Sequence, residues 1–160
     1  MQTITVEKEK AEVSTRQFLA FELKNETYGI PLLEVQEIRT YTPATRIPNT
    51  PPYVVGVINL RGAIIAVVDL RLRMGLEPVT DEEQTIIVVT NIGGKTFGLR
   101  ADSVSDVVRI ESEQIQEAPK VADAQSQKFL AGLAQMQDKV IILLAMEEVI
   151  DIDAVMKAAA

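Results

Sequence analysis

The side chains able to do chemistry in this chain are carboxylates and guanidiniums. Glu37, Asp69, Asp102 and Asp106 lie near apolar runs that read as strands, with Arg39, Arg61, Arg100 and Arg109 close by in sequence. Two carboxyls facing each other across a cleft could act as acid and base in hydrolysis. That leaves open a small-molecule-binding or acid-hydrolase module built on Asp69 and Glu37. The simpler reading pairs these acids with Arg39, Arg100 or Arg109, or turns them to water. The chain has no histidine and no cysteine. The commonest general base near neutral pH, the usual zinc and iron–sulfur ligands and any Ser-His-Asp arrangement are therefore missing. No metal and no cofactor is expected.

Other short motifs read as structure. Gly93-Gly94-Lys95-Thr96 spells the end of a phosphate-binding loop, but Val89 stands where the full motif needs a glycine. It is expected to be a hairpin turn. Pro48-Asn49-Thr50-Pro51 fits a PxxP spelling, and is better read as a rigid connector into Val54. Met136 and Met146 suit core gaps.

Composition narrows the classes further. A net charge of −7 over 160 residues, with no basic face in evidence, argues against nucleic-acid binding. No apolar run reaches the roughly 18 residues of a membrane span, and residues 1–10 lack a basic region followed by an apolar stretch. Together with the missing cysteines, this reads as a cytoplasmic protein without membrane insertion. The 47% hydrophobic content is rich in Val, Ile and Leu, which favours strands.

The elements that must position any site come in two copies. Tyr28-Gly29-Ile30 recurs as Phe97-Gly98-Leu99, and Val35-Gln36-Glu37-Ile38 as Val104-Ser105-Asp106-Val107, both 69 residues on. Gly56-Val57-Ile58 recurs as Gly132-Leu133-Ala134, and the run Ile64–Val68 as Val140–Leu144, both 76 residues on. One supersecondary unit used twice is implied, and two similar modules favour joining partners over substrate turnover. Each copy alone would be marginal in size, so the copies should pack on each other.

Residues 1–16 read as a mobile tail, 17–76 as a first β-barrel subdomain, 77–84 as an acidic linker, 85–150 as a second β-barrel subdomain and 151–160 as a C-terminal helix. Strands are expected near 18–23, 28–31, 35–39, 54–59, 64–70, 85–90, 95–100, 103–110, 129–135 and 139–146. A helical turn is expected around Leu32-Leu33-Glu34 and another around Arg71-Leu72-Arg73-Met74. Asp151 or Asp153 is placed to cap the last helix. Short strands, glycine turns and duplication together predict an all-β fold of paired small barrels.

The copies differ where charge is concerned. Arg61-Gly62 at the first hairpin becomes Gln137-Asp138 in the second, and Asp69 becomes Ala145, while Glu37 stays acidic as Asp106. A turn arginine is ordinarily a solvated group. Arginine is also over-represented among the residues that dominate interfaces, because its fork binds carboxylates.

Three segments carry a resemblance. Tyr28-Gly29-Ile30-Pro31 with Val35–Arg39, Ile47–Pro51 with Gly56–Gly62, and Val67–Arg71 together resemble the CheW chemotaxis coupling proteins. Gly98, Val104–Val107 and Phe129–Leu133 resemble the second half of that family, so residues 17 to 150 are covered. The resemblance implies two SH3-like five-stranded β-barrels packed together, without catalytic activity. It implies an adaptor coupling the cytoplasmic tips of methyl-accepting chemoreceptors to the regulatory domain of the histidine kinase CheA, in arrays at the inner face of the cell membrane. By the same resemblance, Val35, Glu37, Gly56 and Arg61 would meet the receptor's helical hairpin. Gln116 to Val121 would contact the kinase. Ala66 stands where the family commonly has proline, a departure expected to alter strand-edge stiffness.

Overall fold

A computed structural model describes residues 15–120 and 127–159. Eleven strands run as β1 Thr15–Leu23, β2 Glu26–Pro31, β3 Val35–Thr40, β4 Val54–Leu60, β5 Ala63–Asp69, β6 Ile86–Ile92, β7 Lys95–Ala101, β8 Ser103–Glu111, β9 Ile115–Gln116, β10 Leu130–Met136 and β11 Lys139–Leu144. Among the described residues short helices accompany them: α1 Leu70–Arg73, α2 Met146–Val149 and α3 Ile152–Ala159. The strands form two SH3-like barrels, as the duplication predicts. One sheet has the order β3-β6-β7-β5-β4, and the other β8-β1-β2-β11-β10-β9.

The expected subdomain boundaries do not coincide with these sheets. Hairpin β1–β2 from the first half lies between β8 and β11 of the second, and hairpin β6–β7 lies between β3 and β5 of the first. Each repeat thus lends its opening hairpin to the other. Strands 17–76 and 85–150 are repeats in sequence, but each barrel mixes both. The parallel pairings that result, β2 with β11 and β5 with β7, join segments too distant for any hairpin to connect. Thr15 and Arg16, expected in the tail, already belong to β1, and residues 1–14 lie outside the described residues.

Register reproduces the sequence spacing residue by residue. Tyr28 faces Ile142 and Phe97 faces Ala66, while Gly56 faces Val67 and Gly132 faces Leu143. Even the irregularities repeat. A bulge between Val35 and Glu37 on β3 corresponds to one opposite Val104 and Asp106 on β8. Ala66 lies on β5, which is flanked by β4 and β7, so the family's proline position is interior and not at a strand edge.

Three apolar clusters follow from this layout. One barrel is filled by Ile58, Leu60, Ile65, Val67, Ile87 and Val89, and the other by Phe18, Ile110, Ala134, Ile141 and Leu143. Equivalent positions compensate in volume: Ile58 with Ile87 in one barrel becomes Ala134 with Phe18 in the other. Close-packed interiors tolerate such swaps when total volume is kept. The largest cluster joins the barrels, drawing Phe21, Leu23 and Ile30 together with Val68, Leu70, Phe97, Leu99, Phe129, Met146 and Ile150. Asp151 accepts the Ala154 N–H at 3.1 Å and caps α3, whose Val155 is buried in that shared core.

Candidate functional site

Glu37 and Arg61 come from the two outermost strands of one sheet, β3 and the turn after β4, yet their side chains meet. Arg61 Nη1 donates to Glu37 Oε2 at 3.1 Å and to Oε1 at 3.3 Å. Contact between the ends of the strand order means that the sheet has curled back on itself. A second fastening lies on the connector, where Thr45 N donates to Val57 O at 2.8 Å and Val57 N to Thr45 O at 2.9 Å. Glu37 also accepts from Arg39 Nη1 at 3.3 Å. The hydrogen bond from Arg61, aided by Arg39, holds the Glu37 carboxyl below its usual range against a smaller opposing effect of desolvation.

Arg61 is presented in an unusual way. With Gly62 it forms a two-residue hairpin loop in which both residues have positive φ, 50° and 88°. That geometry matches the twist of the flanking strands, and glycine or asparagine adopts it at least cost. The Arg61 side chain remains 67% exposed despite its ion pair. It is therefore a charge on a rigid turn, only partly occupied by its own protein.

The other predicted residues have different settings. Val35 is partly buried against the core between the barrels and faces Thr90 across the strands. Gly56 is buried in β4, at φ 152°, and a Cβ there would fall 2.3 Å from the Thr45 carbonyl oxygen. Its role is to let the connector lie on the barrel. Gln116 is exposed on β9 and faces Leu133, the place that Thr45 holds opposite Val57 in the first barrel. Val121 lies outside the described residues.

The second barrel has no counterpart of the ion pair. Asp106 accepts the N–H of its own neighbour Val107 at 2.7 Å, and Gln137 replaces Arg61 at a turn with φ 56°. What sequence reasoning missed is apolar. Ile38 and Ile64 are 47% and 63% exposed, and their counterparts Val107 and Val140 are exposed as well. The signal was available, since an aliphatic residue recurs at both spacings on the outward phase of its strand.

The carboxylates weighed for hydrolysis are committed elsewhere. Asp69 is buried and receives Arg100 Nε and Nη2 at 3.0 and 2.6 Å, while also capping α1 through the Leu72 N–H. Arg71 Nε donates to Asp102 at 2.7 Å. Glu37 sits under Arg61 and Arg39. The cleft bounded by Arg73, Lys128, Glu147, Glu148 and Asp151 contains neither Asp69 nor Glu37.

With this geometry in place, comparison with known proteins decides the family. Residues 17–154 match the model of the CheW-like domain. The chain belongs to the CheW-like family. A chemotaxis protein CheW from Klebsiella aerogenes is 41% identical over 146 residues, covering 91% of this chain and 88% of that protein. A probable chemotaxis protein CheW from Rhizobium etli is 34% identical, covering 82% and 85%. The crystal structure of the scaffolding protein TtCheW from Thermoanaerobacter tengcongensis superposes with a TM-score of 0.79 at 32% identity, covering 87% of this chain and 94% of that one. This CheW-like chain is a non-catalytic chemotaxis adaptor, and the hydrolase reading falls. Among the described residues no helix is long and apolar enough to cross a membrane.

Proposed function

We infer that this adaptor couples the cytoplasmic tips of methyl-accepting chemoreceptors to the regulatory domain of the histidine kinase CheA, recruited to arrays at the inner face of the cell membrane. The receptor's helical hairpin docks on the first barrel at the Val35, Glu37, Gly56 and Arg61 neighbourhood. The observation that carries this reading is the Glu37–Arg61 pair itself, present in one barrel, absent from the other, and presented on a rigid and largely exposed turn. Among the described residues Arg61 donates through Nη1 alone, which leaves Nε and Nη2 for a partner carboxylate, and little of its backbone freedom remains to be lost on docking.

Gly56 serves the site indirectly, by seating the connector that carries Thr45. The kinase's regulatory domain contacts the barrel ends, with the segment from Gln116 to Val121 as its candidate contact; of the two named residues Gln116 lies exposed on β9. Individual contacts of this size are modest, and an array strengthens them by multivalency. The test is reconstitution of purified receptor and kinase with this chain. Receptor-dependent autophosphorylation should require the chain and should fall with Arg61→Ala and with Glu37→Lys. Wild-type activation by both variants would reject the docking site.

A further inference from the structure

Among the described residues no strand pairing ties hairpin β1–β2 to its own half of the chain. β1 pairs with β8, β2 with β11, and only the turn Leu32–Glu34 carries the chain on into β3. The counterpart hairpin β6–β7 is additionally locked by the buried Asp69–Arg100 ion pair. At the matching places of the other barrel stand Ala145 and Pro31, which carry no charge. Of the two exchanged hairpins, β1–β2 is thus the one without a buried ion pair, held instead by bonds nearer the surface, from Ser105 Oγ to Glu22 at 2.6 Å and from Lys24 N to Asp102 at 2.9 Å.

The turn that would have to open is itself poorly satisfied. Leu33 is 100% exposed, and Glu34 Oε1 is buried without a hydrogen-bond partner among the described residues. Burial raises the Glu34 carboxyl above its ordinary range, and the like charge of Glu147 adds to this. Straightening the turn would return that carboxylate to water. The surface that receives the hairpin already accepts one from a distant segment, in identical register in both barrels. Supplying it from another molecule would need no new contact.

We propose that this chain exchanges hairpin β1–β2 with a second copy of itself, forming a dimer in which each β8–β11 unit is completed by the partner's hairpin and Leu32–Glu34 is the hinge. Domain swapping of this kind reuses intramolecular contacts, and short hinges favour it. The dimer would carry two Glu37–Arg61 sites.

Gln17 and Arg109 are facing residues on β1 and β8, and facing Cα atoms in such a pair lie about 4.5–5.5 Å apart, within disulfide range. The natural chain has no cysteine, so Gln17→Cys with Arg109→Cys reports which molecule supplies the hairpin. The double variant is refolded from urea at low and high concentration, oxidised, and separated by size before non-reducing electrophoresis. Exchange predicts a dimer fraction, larger at high concentration, whose chains are covalently linked to each other. Deleting Leu33 should raise that fraction at least tenfold. A dimer carrying only intrachain disulfides would overturn the proposal, as would a protein that stays monomeric at both concentrations with the hinge intact and with Leu33 deleted.

Discussion

Asp69 and Arg100, one from each half of the chain, face each other across the parallel strands β5 and β7 and are both buried. Their ion pair fastens the borrowed hairpin into the first barrel. A buried pair costs several kcal/mol to desolvate, and truncating Asp69 leaves the buried Arg100 facing only the more exposed Glu82, 3.7 Å from its Nη1, among the described residues.

Asp69→Ala should therefore destabilise the protein by about 3–5 kcal/mol, the range found when one partner of a buried pair is removed. Loss of the α1 cap adds to this. Replacing both residues, Asp69→Ala with Arg100→Met, should recover most of the loss. The second barrel supports that expectation, because it closes around Ala145 and Pro31 without any such pair. Urea unfolding of the single and double variants measures it.

The Glu37–Arg61 pair should behave in the opposite way. It lies at the surface, and ion pairs screened by solvent contribute little to stability. Arg61→Asn removes the charge and places at φ 50° a residue that tolerates the left-handed region. Thermal unfolding should be unchanged or slightly raised. Receptor-dependent kinase activation should weaken by about 1–2 kcal/mol, the scale of an interface residue that matters. A variant that melts lower while coupling normally would reverse the assignment.

Much of this architecture could be read before any coordinates. The recurrence of Tyr28-Gly29-Ile30 and Gly56-Val57-Ile58 at two spacings carries the strand registers, the bulges and the positions that fill each barrel. The same recurrence could not reveal the exchange of hairpins, because period-2 alternation says which face of a strand is buried and not which sheet it joins. Glu37 and Arg61 illustrate the limit at the site. Their meeting depends on closure of the barrel, and nothing in the sequence between two residues 24 positions apart announces it. Ile38 and Ile64 were passed over because an aliphatic residue on a strand is ordinarily inside.

Acid should expose two opposing carboxyl effects. At Asp102 burial disfavours the charge, but hydrogen bonds from Arg71 and from the Lys24 N–H outweigh it and leave the carboxyl below its ordinary value of 3.8. A depressed folded-state pKa gives stability that is present above the ordinary value and lost as pH falls through the folded one. Asp102→Asn should remove part of the acid limb of the stability profile. Glu34 has a raised carboxyl, so its ionisation costs stability once pH exceeds its ordinary value of 4.5. Glu34→Gln should then stabilise the protein at pH 7 and have little effect near pH 3. Denaturant midpoints of the two variants across pH 3–8 should diverge with opposite signs.

Gly56 separates the shape of the docking surface from its charge. Any side chain there would press into the Thr45 carbonyl, at 2.3 Å from an ideal Cβ, on backbone that L-residues rarely adopt. Strain of this kind costs on the order of 1–3 kcal/mol, so Gly56→Ala should lower the unfolding midpoint while leaving Glu37 and Arg61 chemically intact. The strain has an obvious outlet. The paired hydrogen bonds between Thr45 and Val57 are the contacts that hold the connector down, and a displaced connector would break them first. Faster amide exchange at Thr45 and Val57, with the amides of β6 and β7 still protected, is the expected signature. Receptor coupling should fall together with that protection, since Gly56 acts through the connector and has no side chain to offer a partner. Coupling lost while Thr45 and Val57 stay protected would instead make Gly56 a point of direct backbone contact.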